Sequence, residues 1–119
     1  MSKKVLIIED DADTLDLLDH IVTNLNYECV RSRNTIPLNE VAALNPSLIL
    51  LDHWLFGGEY GADYCNRLKN DNTTRHIPVI IVSFIAKLKE IADCSNADAH
   101  INKPFEVNEL EDLIVNTIA

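Results

Sequence analysis

The stretch Ser47-Leu48-Ile49-Leu50-Leu51-Asp52 decides the fold, because four consecutive apolar residues are followed directly by a carboxylate. An apolar run this short, preceded by Asn45-Pro46, is typical of a strand buried on both faces of a parallel sheet that helices cover. Asp52 would then lie at the carboxyl end of this strand. Ligands and chemistry collect at that edge in open α/β sheets, so Asp52 is a candidate functional residue.

Three further strand-like runs also lead into polar residues. These runs and the residues that follow them are Val5–Ile8 with Glu9, Asp10 and Asp11, Val79–Val82 with Ser83, and His100–Asn102 with Lys103. The carboxyl ends of parallel strands meet at one edge of a sheet. We therefore expect acids, a hydroxyl and a lysine to converge beside Asp52.

Length and composition predict one globular domain over residues 1–119. Hydrophobic residues make up 47% of the chain, which is enough for a core without disulfides. Nineteen acidic and ten basic residues give a formal net charge of −9. This charge argues against a nucleic-acid partner, because phosphate backbones require clustered Lys and Arg. It favours a cation or a basic protein face as the partner.

The cysteines and the amino terminus predict a cytoplasmic location. Cys29, Cys65 and Cys94 are odd in number, widely spaced and set within apolar patterns. We interpret them as small core residues in a reducing compartment. The apolar run after Lys4 is too short for a signal sequence or a membrane-spanning helix, so no membrane partner is expected.

Hydrophobic spacing predicts a helix after each strand. A helix from about Ala12 to Asn26 and another from Val107 to Ile118 each show one apolar stripe. Shorter elements are predicted as helices after Pro37, around Ala62 to Leu68 and around Leu88 to Ala92, and as strands at Tyr27–Val30 and Ala99–Ile101. Five strands alternating with five helices predict an α/β fold with a doubly wound parallel sheet.

The acids at the predicted edge are candidate metal ligands. Carboxylates crowded together repel each other, and Mg²⁺ is typically bound by a few carboxylates together with several waters. Glu9, Asp10 and Asp52 fit that pattern, although acids after a strand also suit the start of a helix. Lys103 beside them is a candidate counter-charge for a phosphate. Taken alone, Lys103 would be an ordinary loop residue and Ser83 an ordinary cap.

Together these segments resemble the receiver domain of bacterial two-component response regulators. The matching segments are Val5–Asp11, Leu48–Asp52, Ile77–Ser83 and Lys103-Pro104-Phe105, in the family's order and over essentially the whole chain. The resemblance implies a flavodoxin-like receiver fold. It also implies a signalling switch rather than an enzyme, one that takes part in its own phosphoryl transfer and slow autodephosphorylation.

The resemblance further implies a role for each matching residue. The implied roles are Asp52 as phosphoacceptor, Lys103 as phosphoryl contact, Ser83 and His100 as switch residues, and Glu9, Asp10, Asp52 and the backbone carbonyl of Trp54 as ligands of Mg²⁺. The phosphoryl donor would be a sensor histidine kinase or a histidine phosphotransfer protein. The switch would then change contacts with an output protein.

The chain departs from the family pattern close to the predicted site. The loop after Asp52 is one residue longer than usual, with Phe56 where proline is common, and Phe84 replaces a small residue. These departures leave open a receiver-like scaffold that binds partners without phosphorylation. A third alternative is a Mg²⁺-dependent phosphohydrolase, but His53 and Trp54 follow Asp52 where a second acid would be expected.

Bulky apolar residues near the site also predict a long-lived acyl phosphate. In similar receivers, the residues at the positions of Trp54 and Ile85 flank the path of the attacking water. Phe84 adds a third large side chain. Crowding and drying this path should slow hydrolysis of the adduct, and the same crowding should also hinder its formation.

Overall fold

The computed structural model describes residues 3–53, 59–84, 88–94 and 96–118. Within these ranges, five strands alternate with five helices along the chain. The elements are β1 Lys4–Ile8, α1 Ala12–Asn24, β2 Glu28–Ser32, α2 Leu38–Leu44, β3 Leu48–Leu51, α3 Gly61–Lys69, β4 Val79–Ser83, α4 Leu88–Cys94, β5 Ala99–Asn102 and α5 Val107–Ile118. The predicted α/β class is confirmed.

All five strands form one parallel sheet in the order β2-β1-β3-β4-β5. Val5 of β1 lies opposite Leu48 of β3, and Ile49 of β3 lies opposite Val79 of β4. The chain therefore adds β2 on one side of β1 and the later strands on the other. The strand order reverses between β1 and β3, and the carboxyl ends of strands at such a reversal form a crevice suited to ligands.

The central strand β3 separates two apolar layers, as its uninterrupted apolar sequence predicts. Leu48 and Leu50 are fully buried on the side of α1 and α5. Ile49 and Leu51 are fully buried on the side of α2 and α3. Because both faces of β3 are covered, this strand can reach solvent only at its ends. Asp52 lies at its carboxyl end.

The ends of the first helix and of the second strand differ slightly from the predictions. α1 ends at Asn24 rather than Asn26, because Asn26 adopts a left-handed conformation with φ of 67°. Such a residue cannot continue a right-handed helix. β2 begins at Glu28, one residue later than predicted, and extends to Ser32.

Two of the three cysteines lie where the sequence predicted them. Cys65 is buried between α3 and the sheet, and Cys29 is half-buried against the opposite layer. The side chain of Cys94 lies outside the described part of the structure. Among the described residues, no helix combines the length and the apolar character that crossing a membrane requires.

Candidate functional site

Backbone hydrogen bonds extend the strand ladder past the ends of the strands and align the candidate residues. The amide of Asp52 donates to the carbonyl oxygen of Ile8 at 3.0 Å. The amide of Lys103 donates to the carbonyl oxygen of Ser83 at 3.1 Å. Both bonds hold their residues at the carboxyl edge of the sheet, as the sequence predicted for this set of residues.

A cleft of about 410 Å³ opens at this edge. Its lining consists of Glu9, Asp10, Asp11, Thr14, Asp52, Ser83, Phe84 and Lys103. His100 is not part of this lining; it lies half-buried on β5, opposite Ile81 of β4. Trp54 and Ile85 lie outside the described residues. The structure thus brings together five of the predicted site residues and places His100 in the neighbouring strand.

The acids in the cleft outnumber the cations. Glu9, Asp10 and Asp52 each place one carboxylate oxygen within 4.8 Å of the other two. Lys103 Nζ donates to Glu9 Oε1 at 2.6 Å and lies 3.9 Å from Asp52 Oδ1. Burial raises the pKa of Glu9 to about 7, Lys103 opposes this rise, and nearby Asp52 adds to it.

Two buried polar atoms in the cleft have unused hydrogen-bonding capacity. Asp52 Oδ1 and Ser83 Oγ are buried and have no hydrogen-bond partner among the described residues. A buried polar group in this state costs ~1–3 kcal/mol. Native proteins retain few such groups, and those they retain call for an explanation such as a bound ion or a catalytic role.

The donor set of the cleft fits Mg²⁺. Hard oxygen ligands bind this ion at about 2.0–2.1 Å, so two ligands of one ion lie at most ~4.2 Å apart. The three carboxylate oxygens, within 4.8 Å of one another, need only a small inward movement to reach that spacing. A divalent cation would also offset the repulsion between these carboxylates, which Lys103 alone does not balance.

Asp11, by contrast, acts as a helix cap. Its carboxylate accepts hydrogen bonds from the amide of Thr14 at 2.9 Å and from the Thr14 hydroxyl at 2.6 Å. These bonds lower the pKa of Asp11. The two interpretations of the acidic run after β1 therefore apply to different residues: Asp11 caps α1, whereas Glu9 and Asp10 contribute to the acid cluster in the cleft.

Two residues near the cleft were not predicted. Arg33 donates from Nε and Nη2 to the backbone oxygen of Asp10, at 3.1 Å and 2.8 Å. His53 is buried, its Nδ1 accepts the amide of Ala62 at 3.3 Å, and burial lowers its pKa. No motif or periodicity marks Arg33, and the only sequence signal for His53 is its position directly after Asp52.

The family model described as the response regulator receiver domain matches residues 5–115 of the chain. The chain belongs to this family. The resemblance carried by the four segments is therefore confirmed, and with it the assignment to a family of signalling switches in two-component systems. The parallel five-stranded sheet with five helices, described above, is the receiver fold.

Relatives of this receiver include proteins of two different lengths. It is 34% identical over 115 residues to the phosphate regulon transcriptional regulatory protein PhoB of Pseudomonas aeruginosa, a match that covers 92% of the receiver and 49% of PhoB. The receiver thus spans about half the length of PhoB. It is also 34% identical over 110 residues to the polar-differentiation response regulator DivK of Brucella anthropi, covering 90% of the receiver and 89% of DivK.

A solved structure supports the fold. The receiver domain of the sensor histidine kinase PA1611 from Pseudomonas aeruginosa PAO1 superposes with a TM-score of 0.87 at 17% identity. The match covers 99% of this chain and 98% of that one. That receiver domain has a magnesium ion coordinated in its active-site cleft.

Proposed function

We propose that the chain is a phosphoacceptor receiver of a two-component phosphorelay. In this proposal, Asp52 accepts a phosphoryl group from a phosphohistidine on a sensor histidine kinase or a histidine phosphotransfer protein. The observation that carries the proposal is the carboxylate of Asp52 itself. Its Oδ1 is buried at the cleft without a hydrogen-bond partner among the described residues, 3.9 Å from Lys103 Nζ.

The residues of the cleft suit an in-line phosphoryl transfer. An oxygen of Asp52 forms the new bond to phosphorus, the bond from phosphorus to the donor imidazole breaks, and the imidazole nitrogen leaves with the electron pair. Lys103 neutralises charge on the phosphoryl oxygens as the transition state forms. Positioning and neutralisation supply most of the catalysis in reactions of this type.

Glu9, Asp10 and Asp52 would hold Mg²⁺ in this receiver, with the backbone carbonyl of Trp54 as a further proposed ligand. When bound, the ion neutralises phosphoryl oxygens and offsets the repulsion between the three carboxylates. The magnesium ion in the cleft of the PA1611 receiver domain supports this choice of metal. Arg33 would help to hold Asp10 in place through its backbone oxygen.

Ser83 and His100 would transmit the change. The Ser83 hydroxyl, which is buried without a partner among the described residues, is suited to donate a hydrogen bond to a phosphoryl oxygen on Asp52. His100 lies on the adjacent strand β5 and would repack in response. A local change in charge would thereby alter the surface presented to an output protein.

A second candidate function is a receiver-like scaffold that binds partners without phosphorylation. Phe84 is the observation that favours it, because this large side chain lines the cleft directly after Ser83. Its ring centroid lies 5.8 Å from Lys103 Nζ. In this alternative, Phe84 hinders the approach of a phosphoryl donor.

Incubation with acetyl phosphate and Mg²⁺, followed by intact-mass measurement, distinguishes the candidates. The phosphoacceptor proposal expects the mass of one added phosphoryl group on the wild type and none on Asp52→Asn or in excess chelator. Asp98→Asn is the matched control and should still be phosphorylated, because Asp98 lies at the amino-terminal ends of the strands, away from the cleft. An adduct on Asp52→Asn would refute the proposal. An unmodified wild type that releases no phosphate would favour the scaffold, and phosphate release without an accumulated adduct would favour a phosphohydrolase.

A further inference from the structure

His53 connects the two ends of the segment that joins β3 to α3. Only 7% of its surface is exposed. Its Nδ1 accepts the amide of Ala62 at 3.3 Å, and its carbonyl oxygen accepts the amide of Gly61 at 2.8 Å. Its ring stacks on Tyr60 with a centroid distance of 5.1 Å and an angle of 7° between the ring planes.

These contacts give α3 a cap that its own N-terminal residues do not provide. The first four amides of a helix lack acceptors within the helix, and the N-cap side chain usually satisfies one of them. Here the N-cap residue is Tyr60, whose side chain makes no capping hydrogen bond. His53 supplies acceptors to the first two amides of the helix, those of Gly61 and Ala62, through its carbonyl oxygen and its ring nitrogen.

The capped end of α3 lies directly on the backbone of Asp52. A Cβ atom added at Gly61 would lie 2.0 Å from the carbonyl oxygen of Asp52 and 2.8 Å from Cα of His53. This approach is closer than any side chain permits, so the position requires glycine. Any shift of the start of α3 must therefore move Asp52 or separate the two segments.

We propose that His53 is a positioning residue for the phosphoacceptor site. By accepting the Ala62 amide through Nδ1, it holds the start of α3 against Asp52 and keeps that carboxylate beside Glu9 and Asp10. The inference rests on the proposed function, because it assigns His53 a role in metal binding and phosphorylation of Asp52. Removal of residues that orient metal ligands typically weakens metal binding about 10- to 100-fold.

Two substitutions separate the ring nitrogen from the ring. In His53→Asn, Oδ1 is as many bonds from the backbone as Nδ1 is in histidine, so the acceptor is retained and the stack on Tyr60 is lost. In His53→Phe, the ring and its stack are retained and the acceptor is lost. The inference expects Mg²⁺ affinity within about twofold of wild type for His53→Asn and about 10- to 100-fold weaker for His53→Phe, with phosphorylation following affinity.

Thr74→Val is the matched control at the opposite end of α3. The buried Thr74 hydroxyl donates to the carbonyl oxygen of Leu68 at 2.7 Å, and valine removes this bond while keeping the shape of the side chain. Thr74→Val should lower the melting temperature without changing Mg²⁺ affinity. An equal loss of Mg²⁺ affinity in Thr74→Val and His53→Phe would show general destabilisation and overturn the inference.

Calorimetric Mg²⁺ titration and amide NMR of the metal-free protein provide independent measurements. We expect His53→Phe to accelerate hydrogen exchange at the amides of Ala62 and Asp52, and His53→Asn to leave both exchange rates unchanged. An unchanged exchange rate of the Asp52 amide in His53→Phe would overturn the inference. If the wild type neither binds Mg²⁺ nor is phosphorylated, the proposed function fails, and the Asp52 amide still decides whether His53 positions that residue.

Discussion

Two half-buried lysines lie at opposite ends of the sheet and have different surroundings. The amino edge is the side of the sheet where the parallel strands begin. There the Lys69 side chain is 11% exposed, and its Nζ contacts Asp98 Oδ2 at 2.6 Å and the carbonyl oxygen of Ile77 at 2.7 Å. The same oxygen of Asp98 accepts the amide of Val79 at 2.8 Å. One cation thus faces one carboxylate, which is 42% exposed. This end is balanced by protein groups alone.

The carboxyl edge is built differently around Lys103. Its side chain is 10% exposed and lies in a cleft with three clustered carboxylates. Asp52 Oδ1 and Ser83 Oγ have no hydrogen-bond partner among the described residues. The amino edge therefore joins helix to sheet, whereas the carboxyl edge has the capacity to take up a cation and a further hydrogen-bonding group. In our proposal, Lys69 serves stability and Lys103 serves function.

The largest expected effect comes from exchanging each lysine for methionine. Lys103→Met should slow phosphorylation of Asp52 by acetyl phosphate about 10²- to 10³-fold, because it removes a group that stabilises transition-state charge. Lys69→Met should leave this rate unchanged but lower the free energy of unfolding by about 1–3 kcal/mol, because a buried carbonyl loses its donor. Mass spectrometry gives the rates, and urea titration gives the stabilities.

Equal slowing of phosphorylation in both lysine variants would contradict the proposed difference between the two edges. It would show that the amino edge influences the chemistry through the body of the sheet. A Lys103→Met variant that is phosphorylated at the wild-type rate would instead remove Lys103 from the proposed mechanism. In either case, the measured unfolding free energies show whether loss of folded protein accounts for the slower reaction.

The second prediction concerns how Glu9 makes the free energy of unfolding depend on pH. In the metal-free fold, the pKa of Glu9 is about 7, compared with 4.5 as its ordinary value. The folded state therefore binds more protons between these two values, and the free energy of unfolding should fall as pH rises from about 4.5 to about 7. The loss from Glu9 is at most about 3 kcal/mol.

Urea titrations of wild type and Glu9→Gln at both ends of this pH range test the effect. Glu9→Gln cannot lose a proton, so the wild type should lose more stability than the variant as pH rises. Saturating Mg²⁺ should restore wild-type stability at the upper end of the range, because Glu9 is then deprotonated and paired with the cation. If the free energy of unfolding fell equally with pH in the two proteins, Glu9 would not be the group that binds the additional proton in the folded state.

The sequence predicted those features that depend on residues close together in the chain. β3 was predicted because burial on both faces requires every residue to be apolar, and α5 was predicted with its observed bounds, Val107–Ile118, from one apolar stripe. The cleft residues were predicted because each follows a strand that ends at the same edge. These signals are all local in the sequence.

The contacts that support the cleft could not be predicted in this way. Arg33 reaches the backbone of Asp10 across 23 positions, and Lys69 of α3 pairs with Asp98, the residue directly before β5. Such pairs depend on how loops from separate crossovers meet, which neither periodicity nor composition records. His53 shows the same limit, because its role depends on the ring nitrogen meeting the first turn of α3.

The third prediction concerns Phe84 at the mouth of the cleft. Phe84 lines the cleft and is 63% exposed, and its ring centroid lies 5.8 Å from Lys103 Nζ, so the ring attracts the ammonium. An exposed cation–π contact contributes ~0.5–1 kcal/mol, equivalent to about two- to fivefold in rate. Phe84→Ala should therefore accelerate both formation and loss of the phosphoryl adduct by about this factor.

Phe84→Leu separates crowding from attraction to the ring. Leucine keeps much of the bulk but has no π face, so rates like those of the wild type would indicate crowding. Rates like those of Phe84→Ala would indicate the contact with Lys103. Unchanged rates in both variants would show that the steric argument for a long-lived adduct is wrong. Time-resolved mass spectrometry after removal of acetyl phosphate measures the loss directly.

The smallest expected effect is a change at His100, and it tests how far the signal spreads from the carboxyl edge. His100 is half-buried on edge strand β5, two positions before Asn102, which lies opposite Ser83. If Ser83 moves toward a phosphoryl group on Asp52, the packing of β5 against β4 must adjust, and the His100 ring resonances should shift.

His76 is the matched control, because it lies near the amino edge and contacts Asn45 at 3.2 Å. A shift at His100 alone would confine the response to the edge that holds the cleft, and a shift at both would mean that the whole sheet responds. An unchanged His100 ring would identify it as an ordinary strand-end histidine and leave Ser83 as the only proposed switch residue.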